Sequence, residues 1–135
     1  MDFLKLIALD HEDLTVISAH MQDAQLCIGD MTYIPEKQRF VLAARRALHA
    51  ESSSSIQTCY SGVHFDRVKA VRLLHIDQSR QEDVLTFIGI LFEAENPPGG
   101  KITLLFKNDK SIQLDVECIE VQFRDFPMTE HYPLS

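Results

Sequence analysis

Two histidine–aspartate pairs carry the residue types and spacings that could do chemistry. His20 and Asp23 stand three apart in "ISAHMQDA", and His64 and Asp66 stand two apart in "GVHFDRV". Residues three apart share a flank of a helix, and residues two apart share a face of a strand. Either pair could supply two metal ligands, or an acid and a base held side by side. A metal site needs three or four donors, so neither pair is sufficient alone. His20, Asp23, His64 and Asp66 are therefore the polar candidates for a small enzyme or metabolite-binding protein with a pocket at a barrel mouth. The simpler accounts are a helix-surface hydrogen bond for the first pair and a polar corner bonded to backbone for the second. The expectation taken forward is no catalytic, cofactor-binding or metal-ligating residue, and no cofactor.

Other constellations are weaker. Cys59 and His64 are the one close cysteine–histidine pair. A nucleophilic pair needs contact and a third group to orient the base, and five residues along a strand send two side chains to opposite faces. Asp115, Glu117 and Glu120 fit a solvated strand face. No phosphate loop, dinucleotide fingerprint, CxxC, HExxH or serine elbow occurs, and the adjacent glycines 99 and 100 follow two prolines in a turn.

The elements that must position these residues begin with a helix over 11–23. Asp10 suits the N-cap, Asp13 three residues on completes a box-like pair, and Leu9 with Leu14 is spaced for a hydrophobic staple. Glu12 and Asp13 complement the positive end of the helix dipole. Leu14, Ile17, Met21 and Ala24 recur at helical spacing and should face the core.

Strands surround it. "FLKLIAL" precedes the helix; "LCI" and "MTYI" flank a bulge or turn at Gly29-Asp30; "PEKQ" makes a hairpin of "MTYI" and "RFVLAARRAL". "GVHFDRVKAVRLLHI" reads as one bent strand or two joined by a corner, and "QSRQED" as a polar connection. Residues 84–94, "VLTFIGILFEA", are apolar at both parities, which predicts a central strand covered on both faces. "KITLLFK" and "SIQLDVEC" form a hairpin. Turn chemistry favours a two-residue Asn108-Asp109 loop, but that pairs Lys107 with Lys110 and mixes apolar with polar partners. A loop of Asn108, Asp109 and Lys110 instead pairs Phe106 with Ile112, Leu104 with Leu114 and Ile102 with Val116, and is the expected register. Beyond Cys118 the alternation shifts phase, as a bulged strand or a helix would make it do. The two halves share a faint echo in their order of elements.

The 135 residues predict a single domain, 1–135, with a mobile loop near 51–56 at "ESSSS" and a loose tail over 127–135. No apolar run reaches the roughly 20 residues of a membrane span. Asp2 and Lys5 spoil a secretory signal, and cysteines 27, 59 and 118 are odd in number and far apart, which together favour the cytoplasm. The net charge of −7 disfavours nucleic acid. The basic residues Lys37, Arg39, Arg45, Arg46, Arg67, Lys69 and Arg72 are read as solvated strand flanks.

The phrases "LKLIALDHEDLTVISAHMQDA", "GVHFDRVKAV" and "IQLDVECIE" resemble an uncharacterised family of small bacterial proteins, a domain of unknown function, over nearly the whole chain. The resemblance implies a bacterial, cytoplasmic protein and brings no catalytic residue. The "HFDRVKAV" corner and the hairpin-rich second half are similar to pleckstrin-homology-type barrels, a likeness of shape and not of chemistry. The expected fold is α+β: a mainly antiparallel sheet curled into a barrel or half-barrel, with one N-terminal helix packed on it. The expected function is a non-enzymatic binding or assembly module for protein partners, self-association included.

Overall fold

The computed structural model describes residues 3–48 and 57–127. The loop expected near 51–56 and residues 128–135 of the expected tail lie outside the described residues. Helix α1 (His11–Met21) starts where the sequence placed it. The Asp10 carboxylate accepts from the Asp13 backbone N–H at 2.8 Å, and the Asp13 carboxylate accepts from the Leu9 N–H at 3.4 Å. Leu14, Ile17, Met21 and Ala24 are buried, but Leu9 is exposed and adds little as a staple. The helix ends two residues short of its expected limit, where Asp23 takes a left-handed φ of 67° and donates its N–H to the Phe87 carbonyl.

Among the described residues ten antiparallel strands form one sheet: β1 (Lys5–Ala8), β2 (Gln25–Cys27), β3 (Met31–Ile34), β4 (Arg39–Leu48), β5 (Gln57–Phe65), β6 (Val68–Leu74), β7 (Val84–Ala94), β8 (Gly100–Phe106), β9 (Lys110–Val116) and β10 (Val121–Phe126). Their spatial order is β1-β10-β5-β4-β2-β7-β8-β9-β6, with β3 paired to β4. The sheet is curled but not closed into a barrel. Its curl comes from a corner. β5 runs into β6 through Asp66-Arg67, and β9 runs into β10 through residues 117–120 beside it, joined by Asp66 N–H to Glu120 O (2.9 Å) and Glu117 N–H to Arg67 O (3.0 Å). The bent segment is thus two strands, and the phase shift after Cys118 falls at this corner, leading into a strand and not a helix. Residues 75–83 make turns where the first half of the chain has α1.

Two expectations need correction. β7 is central but buried on one face only. A bulge between Phe87 and Gly89 flips the alternation, so Leu85, Phe87 and Ile90 are buried while Ile88 and Leu91 are about half exposed. Where the short β2 ends, α1 takes its place along β7, and the Ser18 hydroxyl accepts the Ile90 N–H at 2.8 Å. In the β8–β9 hairpin the loop is Lys107-Asn108-Asp109, and Phe106 faces Lys110, with Leu104 opposite Ile112 and Ile102 opposite Leu114. This register lies two residues from the expected one. It keeps the apolar residues on one face and gives the left-handed positions to Asn108 (φ 69°) and Asp109 (φ 58°), which tolerate them better than Lys110 would. The core lies within the curl, built from the inward faces of the strands and the apolar stripe of α1.

Candidate functional site

The sheet separates the two polar pairs picked out by spacing. His20, in the last turn of α1, lies over the Phe123 ring with centroids 6.2 Å apart, on the inner side where Val121 and Phe123 are buried. Asp23 is exposed beyond the helix end. His64 sits on the outer face of β5 opposite exposed Gln122. Burial and then the Arg39 charge lower its pKa, partly opposed by Asp66. Asp66 at the corner accepts from Arg39 Nε at 2.7 Å. A polar cleft of about 330 Å³ opens there beside Lys37, Arg39, Asp66, Arg67 and Glu120. Its charges are largely spent on each other, through Arg39–Asp66 and Arg67–Glu120. Among the described residues no three histidine, cysteine, aspartate or glutamate side chains stand close enough to hold a metal ion.

Spacing did not reveal the one buried polar cluster among the described residues. On the inner face of β4, β5 and β10, one end of the apolar rows gives way to Arg46, Cys59, Ser61 and Asp125. Arg46 grips Asp125 with two nitrogens: Nε reaches Oδ1 at 3.0 Å and Nη2 pairs with Oδ2. The Ser61 hydroxyl donates to Oδ1 at 2.7 Å and accepts from Arg46 Nε at 3.1 Å. The other carboxylate oxygen accepts the Leu4 backbone N–H at 2.9 Å. The guanidinium also lies 5.5 Å from the Phe123 ring centre. Burial pushes the Asp125 carboxyl up, but Arg46, the Leu4 amide and the Ser61 hydroxyl outweigh it and hold the pKa below its ordinary value. Burial and the Asp125 charge raise the Cys59 thiol pKa. Asp125 is thus a fully committed anion with no base to offer Ser61, and Cys59 is a buried, protonated thiol. This geometry clamps strands together. Its signal was in the parity: Asp125 shares a phase with Val121 and Phe123, and Arg46 with Leu42 and Ala44.

The clamp holds β1, which pairs with β10 alone among the described residues. Asp125 and Leu4 are joined on the β10 side by Asp125 N–H to Leu4 O at 2.9 Å. Antiparallel pairs alternate, so the backbone groups of Lys5 and Ile7 point to the open edge. The inward residues are Leu4, Leu6 and Ala8; the outward ones are Phe3 (43% exposed), Lys5, Ile7 (64%) and Leu9 (64%). At the other end of the sheet, β6 is tied to the first hairpin by the Tyr33 hydroxyl to Val68 O (2.7 Å) and carries Lys69 and Arg72. β6 also exposes Leu74 (52%), so the two terminal strands differ in charge, with two cations on β6 and one on β1.

A family described as protein of unknown function, DUF2948, matches residues 4–133. The chain belongs to the DUF2948 family. No curated protein and no solved structure matches it. No helix among the described residues is long and apolar enough to cross a membrane. Residues 4–133 take in every strand described above and α1, so the DUF2948 match spans both the clamp and β1.

Proposed function

We propose that this chain is a non-enzymatic binding module for protein partners, that β1 is its docking edge, and that it works in the cytoplasm. The observation that carries the reading is β1 itself: a strand with unpaired backbone groups among the described residues, exposed Ile7 on it and exposed Phe3 and Leu9 just beyond its ends, anchored next to Leu4 by a buried ion pair. Open strand edges template pairing with another chain, and proteins usually blunt them with charge, bulges or cover. Here the blunting is one lysine, in a strand whose register is fixed from behind. Strand addition uses backbone hydrogen bonds for affinity and alternate side chains for specificity. Three free cysteines fit a reducing compartment. A photo-crosslinking residue placed at Ile7, with one at Arg72 on β6 as control, tests the reading in the cells that make the protein. Protein adducts specific to position 7, lost on Leu9→Lys, are expected. The same adducts from both positions, or none, would rule out the edge.

A further inference from the structure

We infer that the outer face of β10, β5 and β4 binds a single-stranded nucleic acid, with Tyr60 stacking on a base and Lys5, Arg124 and Arg45 meeting its phosphates. The inference goes beyond the reading of β1 as a docking edge and is independent of it. Its basis is a charge asymmetry that only the sheet order makes visible. Side chains alternate along each strand, so residues in phase with buried Phe40, Val63 and Phe123 face the core and the others face out. Among the described residues, the outward positions of β1, β10, β5 and β4 include no aspartate or glutamate. This holds in a chain with 20 acids against 13 lysines and arginines. The same positions include Lys5, Arg39, Arg45 and Arg124. Arg39 is taken by Asp66, whereas Lys5, Arg45 and Arg124 are exposed and form no ion pair among the described residues. The net charge of −7 averages over the whole surface. Salt screens each charge beyond about 8 Å, so a bound strand feels the face it lies on.

Register orders these groups into rows across the sheet. One row reads Phe126, Tyr60, Arg45 and Gln25, and the next reads Lys5, Arg124, Gly62 and Ala43. Arg124 lies 4.8 Å over the Phe126 ring, which keeps its charge near Tyr60. The second row ends in Gly62 and Ala43, with no side chain longer than a methyl, and leaves low ground beside Tyr60 and Arg45. There the surface dips into a shallow hollow of about 190 Å³, lined by Ala43, Arg45, Tyr60, Gln25 and Asp30 among others. An aromatic ring stacks on any base, and a basic face tracks the phosphates. Asp30 adds an acceptor for a base amine such as that of cytosine. An acidic peptide fits this face less well. β10, β5 and β4 each lie between paired strands, so their backbone groups are already engaged. A peptide laid across them would surrender the hydration of its own backbone without replacement. A single-stranded nucleic acid has no peptide groups to satisfy.

Fluorescence anisotropy of labelled ten-residue oligocytidylate, as RNA and as DNA, tests this with the whole protein. Three phosphate contacts predict a slope of log affinity against log salt of about −2, or about twentyfold weaker binding at 200 mM than at 50 mM salt. Arg45→Gln and Arg124→Gln should each make the slope shallower by about 0.7. Tyr60→Leu should weaken binding about tenfold with the slope unchanged, and Tyr60→Phe should bind like the wild type. Arg72→Gln on β6 should change nothing. Thermal melting shows that each variant folds, and the tighter of the two oligonucleotides names the polymer. Equally tight binding of duplex DNA or polyglutamate, with no effect of Tyr60→Leu, would make the face a general polyanion surface and overturn the inference. So would binding that Arg45→Gln and Arg124→Gln leave untouched, or none at about 0.1 mM protein in 50 mM salt.

Discussion

Replacing Arg46 with alanine exposes how much of the sheet rests on one guanidinium. The Arg46 side chain is 10% exposed and that of Asp125 0%, so the substitution strands a carboxylate in the interior. Removing one partner of a buried pair costs about 3–5 kcal/mol. Ser61 and Leu4 still donate to Asp125, and the shortened side chain admits water, so a loss of about 3 kcal/mol is expected. That is a large part of the roughly 5–15 kcal/mol that holds a domain folded. The pH dependence identifies the cause. In the wild type the depressed Asp125 pKa contributes stability above the ordinary carboxyl value of 3.8, and this is lost as pH falls through the folded value. In the variant, burial dominates and lifts the Asp125 pKa, so acid relieves the buried charge. The gap between the two proteins should be widest near pH 7 and shrink on acidification. Urea unfolding followed by circular dichroism between pH 7 and 4 measures it. Adding Asp125→Asn to Arg46→Ala should restore part of the loss. A loss below about 1 kcal/mol, or a gap that does not move with pH, would refute the assignment of Arg46 as the counter-charge.

Three further expectations are simpler to check. Asp10→Ala should lower stability by about 1 kcal/mol through loss of the N-cap, and a variant that melts with the wild type would contradict the cap. Gly100→Ala should destabilise by about 1–3 kcal/mol, because its Cβ would meet the Glu93 carbonyl oxygen, whereas Gly89→Ala, whose Cβ would meet only the Ser18 hydroxyl at 3.4 Å, should change little; equal melting temperatures for the two would argue against the close approach. In the native protein at pH 7, Cys59 should resist a thiol reagent that labels Cys27 and Cys118, while the denatured, unreduced chain should titrate three thiols; a single thiol would reveal a disulfide.

What the sequence disclosed was local. The helix start needs only Leu9 to Leu14, and the β3–β4 hairpin only Ile34 to Arg39, with Gln38 accepting the left-handed turn position. The β8–β9 register was half legible. Parity required Ile102 and Leu104 to face Leu114 and Ile112 on one side, but weighing strand pairs against loop strain for two loops left out the third, Lys107-Asn108-Asp109, which satisfies both. The bulge in β7 was hidden because Ile88 and Leu91 are as apolar as their buried neighbours. His20 and His64 drew notice by residue type, yet the alternation that places His64 next to Val63 also turns it away from the helix side of the sheet. Arg46 and Asp125 escaped because they lie 79 residues apart. Only the sheet order makes them neighbours, although each breaks the polarity of its own strand face.

Strand order also has a consequence for how the molecule comes into being. β1 is the first strand among the described residues, and its one partner there, β10, is the last, with Lys5 opposite Arg124. A ribosome adding roughly 5–20 residues per second needs about 6–24 s to travel between those two positions. Throughout that interval Leu4 has no Asp125 to receive its amide, and the residues of β1 have no register to hold. An ordered edge therefore waits on the synthesis of β10. Chains that stall or are cut before β10 would present no ordered β1, so anything that recognises the edge would pass them over.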